Sequence, residues 1–225
     1  MKKKNKYVFS YLDNPNAIFK KKNFILSALN LAFLAYFFDN RIKYNKNFVL
    51  WPDGIFSKIY IKSSKIPGFE LINKIQVPFS IKQILVLGNL EKMEFEYLKK
   101  KFKKKILHKK LGYGDIDKIV KKQNFLLNSK TLCLITLPTP KQEQLSIYLS
   151  KINNFYKVIC IGGGLSIASK RIPKCPKLIA MIGLEWLWRL KTDKLRRLNR
   201  LFYTLFIYLI RSFFSKNVSM FFKKI

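Results

Sequence analysis

The run Leu132-Cys133-Leu134-Ile135-Thr136-Leu137, followed by Pro138-Thr139-Pro140-Lys141-Gln142-Glu143 and then by Val158-Ile159-Cys160-Ile161-Gly162-Gly163-Gly164, decides the fold. Residues 132–137 and 158–161 are apolar almost throughout, as strands are when helices cover both faces of a parallel sheet. Between them, residues 141–153 have the length and polarity of a helix. Strand, helix and buried strand in that order make a βαβ unit with parallel strands.

The same alternation extends outward. Residues 47–50, 83–87 and 105–107 read as further short strands, and residues 91–104 and 115–129 as helices. Residues 24–38 carry no charge. That run is 15 residues long, against about 20 needed to cross a bilayer, and contains Ser27 and Asn30, so it reads as a buried strand leading into a helix. The expected fold class is α/β: a mostly parallel sheet with helices on both faces, Rossmann-like, with a helical C-terminal appendage. Its divisions are a basic N-terminal segment at 1–23, an α/β domain at 24–190 and a basic, aromatic-rich appendage at 191–225, where no strand-like alternation is visible.

Composition narrows the function classes. The 225 residues carry 45 Lys+Arg against 12 Asp+Glu, a formal net charge of +33. Large apolar residues, with 20 Phe, 11 Tyr and 3 Trp, exclude disorder along the whole chain. Three cysteines without CxxC spacing, Cys133, Cys160 and Cys175, argue against a disulfide scaffold, and the single histidine, His108, cannot build a His/Cys metal cage. Part of the charge reflects a lysine- and asparagine-rich composition; the depletion of acids points to a polyanionic partner, whether nucleic acid, anionic membrane or phosphate-bearing substrate. Ten Lys or Arg and one acid, Asp193, fall between residues 189 and 225, interleaved with aromatics. The apolar stretch at 201–210 is too short to span a bilayer and suited to lying in its interface.

Three constellations stand at expected strand ends, where ligands bind in parallel α/β sheets. In Trp51-Pro52-Asp53-Gly54 the turn presents a carboxylate, either as a general base toward a sugar hydroxyl or as an Asx turn or helix cap. At 138–143, Lys141 and Gln142 offer a cation and an amide beside a helix start, with Glu143 following; alternatively Thr139, Pro140 and Glu143 are only helix-start residues. Gly162, Gly163 and Gly164 either form an N–H nest for phosphate oxygens or make a tight turn. Asp115-Ile116-Asp117 has the D-x-D spacing of metal-dependent sugar-nucleotide enzymes, but acids opening a helix complement its dipole, and no metal is assigned. His108 reads as a surface or strand-edge residue.

Together, PDG at 52–54, PTPKQE at 138–143, IGGGLSIAS at 161–169 and GLEWLWRL at 183–190 resemble the WecG/TagA/CpsF glycosyltransferase family, in order and spacing, over about residues 24–200. The resemblance implies transfer of an N-acetylhexosamine-type sugar, such as N-acetylmannosamine or its uronic acid, from a UDP-sugar to a polyprenyl-pyrophosphate-linked sugar in bacterial surface-polysaccharide assembly. It implies work at the cytoplasmic face of the inner membrane, peripherally, by inversion without a metal or other cofactor, and with no nucleic-acid partner. Asp53 matches the family's proposed base, Asn30 its pocket asparagine and Gln142 its PKQE glutamine. Arg189 and Arg196, with Arg197 close by, match arginines thought to close over the diphosphate. Departures are Ala28 in place of a threonine, with Ser27 adjacent as a substitute, and Lys65 in place of an arginine. Other readings from the residues are a basic nucleic-acid-binding module, whose aromatics would stack bases, and an inactive scaffold.

Overall fold

A computed structural model describes residues 5–54, 56–112, 114–121, 125–176, 178–179, 185–188, 194–214 and 218–225. Eight strands form one sheet in which every pairing is parallel. They are β1 (Asn5–Tyr11), β2 (Phe24–Leu29), β3 (Phe48–Pro52), β4 (Gln83–Leu87), β5 (Lys105–Lys109), β6 (Thr131–Ile135), β7 (Lys157–Cys160) and β8 (Val218–Lys224), in the spatial order β5-β4-β6-β7-β2-β3-β1-β8.

All six residues of β2 and all five of β6 are buried, which is why these central strands read as unbroken apolar runs. At the sheet edge, β5 exposes Lys105 and His108. Helices cover both faces. On one face lie α1 (Leu31–Phe38), α5 (Ile116–Lys121) and α6 (Lys141–Ile152), which bury Leu34, Ile119 and Leu145 with Ile25, Leu50 and Ile135. On the other lie α3 (Gly68–Lys74), α4 (Lys92–Phe102) and α7 (Gly164–Ala168), which bury Leu71, Leu98 and Leu165 with Leu26, Val86 and Ile159. The charge-free run at 24–38 is β2 followed by α1, as expected.

After β4 the chain passes to α4 on one face, and after β6 to α6 on the other, so a crevice opens between those two strand ends. Two short helices, α2 (Phe56–Tyr60) and α8 (Glu185–Trp188), and the longer α9 (Lys194–Phe214) complete the described structure.

The chain ends differ from expectation. A helix is present at 194–214, but β8 follows it, and β8 pairs with β1 over seven residues from Asn5↔Val218 to Tyr11↔Lys224. Residues expected to stand outside the α/β domain thus extend its sheet at both ends of the chain. The pairing joins segments more than 200 residues apart, so no local periodicity announces it. Phe9 stacks on Phe222 at 6.1 Å and Tyr60 shares a 2.9 Å hydroxyl contact with Tyr208, which holds the C-terminal elements on the core. Arg211 pairs with Asp39 at the end of α1.

Candidate active site

Asp53 follows β3 directly, and its backbone N–H donates to Leu29 O at 3.3 Å, so the turn is tied to the neighbouring strand end. Asn30 occupies the matching place after β2. Its Oδ1 accepts the Phe33 N–H at 3.0 Å and caps α1, which directs Nδ2 to donate to Asp53 Oδ2 at 3.3 Å. The helix start therefore fixes which end of the amide faces the carboxylate.

Both residues line a cavity of about 660 Å³ over the strand ends. Trp51, Gln142 and Gly162–Gly164 line it as well, with Asn89 and Thr136 at the ends of β4 and β6. Three widely separated sequence motifs thus meet at one place.

Gln142 Nε2 donates to Thr139 Oγ1 at 3.1 Å and to Glu143 Oε1 at 2.8 Å. Glu143 does not reach the cavity. It is fully buried behind the wall, where Oε1 also accepts from the Ser27 hydroxyl at 2.8 Å and the Thr139 hydroxyl at 3.4 Å. Burial pushes its pKa up from the ordinary 4.5, while the hydrogen bonds from Ser27 and Gln142 oppose that shift. Glu143 therefore stands behind the cavity wall and touches the Gln142 side chain that lines it. Among the described residues the buried side-chain atoms without a partner are Trp51 Nε1, Gln142 Oε1 and Glu143 Oε2, all at or behind this wall. Such atoms are costly to maintain, and they concentrate where a fold gives up stability for function.

Other expected site residues stand elsewhere. Lys141 sends Nζ to Gly114 O at 2.6 Å, which ties α6 to the loop before α5, and it does not line the cavity. Lys65 does not line it either; the adjacent Ile66 N–H bonds Pro52 O at 2.7 Å. Ser27 cannot replace the threonine missing at Ala28, because successive strand residues face opposite sides: Ala28 lines the cavity while Ser27 turns to Glu143. Arg189 and the side chains of Arg196 and Arg197 lie outside the described residues.

Of the two readings of the glycine turn, the backbone hydrogen bonds favour the tight turn over the N–H nest. Gly162 N–H donates to Ile135 O at 3.2 Å and Gly164 N–H to Ile161 O at 3.1 Å, so two of its three N–H groups serve the backbone. Gly162 needs its φ of +52°, and a Cβ on Gly164 would lie 2.8 Å from Gly68 C. The glycines allow α7 to approach α3.

Residues not anticipated from the sequence also line the cavity: Glu91, Glu94, Ser166, Arg171 and Trp188. Ser166 and Trp188 lie inside the motifs at 161–169 and 183–190, which could have flagged them. Glu94 sits within a lysine-rich helix and carries no local signal. Among the described residues no group of three or more His, Cys, Asp or Glu could hold a metal ion, and none of the helices is long and apolar enough to cross a membrane.

A model of the family described as "Glycosyl transferase WecG/TagA/CpsF family" matches residues 18–220. No curated protein matches the chain.

Proposed function

Because this chain belongs to the WecG/TagA/CpsF glycosyl transferase family, we propose that it moves an N-acetylhexosamine-type sugar from a UDP-sugar to a polyprenyl-pyrophosphate-linked sugar, with Asp53 as the base. The observation that carries this reading is the Asn30–Asp53 hydrogen bond at the mouth of two parallel strands inside the cavity. A carboxylate whose orientation is set by a helix cap is arranged to accept a proton from a defined direction.

In the proposed reaction an acceptor hydroxyl hydrogen-bonds to Asp53. Its oxygen attacks the anomeric carbon from the face opposite the nucleotide, and its proton passes to the Asp53 carboxylate. As the new C–O bond forms, the bond to the β-phosphate oxygen breaks and UDP leaves with that electron pair. One displacement inverts the anomeric configuration. Asn30 Nδ2 holds one carboxylate oxygen, Oδ2, and so fixes the plane in which Asp53 meets the hydroxyl.

For work at the cytoplasmic membrane face the support is α9. Phe202, Phe206 and Leu209 are exposed at i, i+4 and i+7 on one helical face, whereas Thr204 and Ile207 are buried against the core. An apolar stripe with Arg211 at its end suits an anionic lipid interface better than a solvated nucleic-acid groove. Incubation with a panel of UDP-sugars and a lipid-linked acceptor, followed by mass spectrometry of the lipid fraction, tests the whole reading. A mass increment of one N-acetylhexosamine or its uronic acid is the expected result, and no increment from any UDP-sugar overturns it.

A further inference from the structure

The cavity has a second polar cluster, away from Asp53. Glu94 of α4, Ser166 of α7 and Arg171 just beyond α7 form a closed set of contacts on its wall. Arg171 Nε donates to Glu94 Oε1 at 2.9 Å and Nη2 to Ser166 Oγ at 2.8 Å, while the Ser166 hydroxyl donates to Glu94 Oε1 at 2.6 Å. Glu94 Oε2 accepts the Glu91 N–H at 2.9 Å. Both Glu94 oxygens are thus engaged, and its side chain is only 4% exposed.

Arg171 is not spent in the same way. Its guanidinium carries five N–H donors, of which these contacts use two. The side chain is 40% exposed, on the cavity wall.

The charge around it is unexpected for a chain of net charge +33. The described residues lining the cavity include the carboxylates Asp53, Glu91 and Glu94, and Arg171 is the only Lys or Arg among them. Lys65 and Lys141, the cations expected there, are elsewhere. The two engaged N–H groups of the glycine turn offer nothing to an anion. A diphosphate entering this cavity would meet Coulomb repulsion from the acids and one cation to offset it.

We infer that Arg171, braced by Glu94 and Ser166, binds the diphosphate of the sugar donor. The inference rests on the donor being a nucleoside-diphosphate sugar. The brace fixes the plane of the guanidinium, so that its remaining N–H groups meet phosphate oxygens with little loss of side-chain freedom. As the glycosidic bond breaks, negative charge grows on the β-phosphate oxygen, and these N–H groups stabilise it without any proton moving.

Calorimetric titration of the full chain with inorganic pyrophosphate, UDP and uridine tests the assignment. Arg171→Gln should weaken pyrophosphate and UDP by about ten- to a hundredfold and leave uridine unchanged. Arg171→Lys keeps the charge and the contact to Glu94 but loses the fork, so it should also bind UDP more weakly, and it stands in should the glutamine variant not fold. Unchanged UDP affinity in either folded variant overturns the inference and leaves the proposed donor class standing. Equal loss of uridine and UDP would show that Arg171 only supports the fold, which also overturns it. Pyrophosphate binding that needs Arg171, with no added affinity for UDP, upholds the inference and sinks the uridine nucleotide as donor. Failure of the wild-type chain to bind either diphosphate overturns both.

Discussion

The Ser27 hydroxyl donates to Glu143 Oε1 at 2.8 Å in a fully buried position behind the cavity, joining the central strand β2 to the first turn of α6. That carboxylate also takes the Gln142 amide, so a residue without access to substrate sets the orientation of one that lines the site.

Replacing Asp53 with Asn should lower the transfer rate by about 10²- to 10⁴-fold, because the amide cannot take the acceptor proton. The melting temperature should stay within a degree or two. A radiolabelled UDP-sugar assay with a lipid-linked acceptor measures the rate, and near-normal turnover would remove Asp53 from its role as base.

Asn30 has two tasks that substitutions separate. Asn30→Ala should cost about 1 kcal/mol of stability through the lost cap of α1, and should slow transfer at least tenfold through the lost contact to Asp53. Asn30→Ser should restore most of the stability without restoring the rate, since a hydroxyl caps a helix but is too short to reach Asp53. Thermal melts and steady-state kinetics on both variants separate the two effects.

Glu143 should make stability fall with rising pH. Its folded-state pKa is raised by burial, so in the window above its ordinary 4.5 the folded chain binds more protons than the unfolded one. Its contribution is full below that value and is lost as pH rises through the folded pKa. Glu143→Gln removes the titration, so its melting temperature should follow a flatter pH profile than that of the wild type, with the gap opening from about pH 4.5 upward. Parallel profiles would show that Glu143 does not titrate in this window.

Gly164→Ala should destabilise the fold by about 1–3 kcal/mol, because the added methyl meets Gly68 backbone at 2.8–3.2 Å and neither partner is a flexible side-chain end. Chemical denaturation measures the loss, and a change below about 0.5 kcal/mol would show that the contact between α3 and α7 yields easily.

Membrane binding through α9 is best tested without deleting it. Truncation would remove β8 and expose the edge of β1, which invites aggregation that also sediments. Phe202→Ser, Phe206→Ser and Leu209→Ser together leave the strand in place and remove side chains worth about 1.5–3 kcal/mol each when buried in an apolar phase. Co-sedimentation with anionic vesicles should fall at least tenfold; unchanged binding would place the contact elsewhere on the chain.

Much of this protein was legible in its sequence, for a local reason. Strands buried on both faces must be apolar at every position, so 132–137 and 158–161 announce a parallel sheet; Asp53 and Gln142 stood out at its strand ends and Asn30 through the family resemblance, and all three line the cavity. Other features depended on contacts between distant segments. Lys141 and Glu143 sit beside Gln142 in sequence, yet the turn of a helix sends one to Gly114 and buries the other. Arg171 gains its brace from Glu94, 77 residues away, and β8 finds β1 from the far end of the chain. Sequence periodicity reports which face of an element is buried. Which residue meets it there, and which charge survives at the cavity wall, was decided by tertiary packing, because desolvation and hydrogen-bond geometry act only once the segments are in contact.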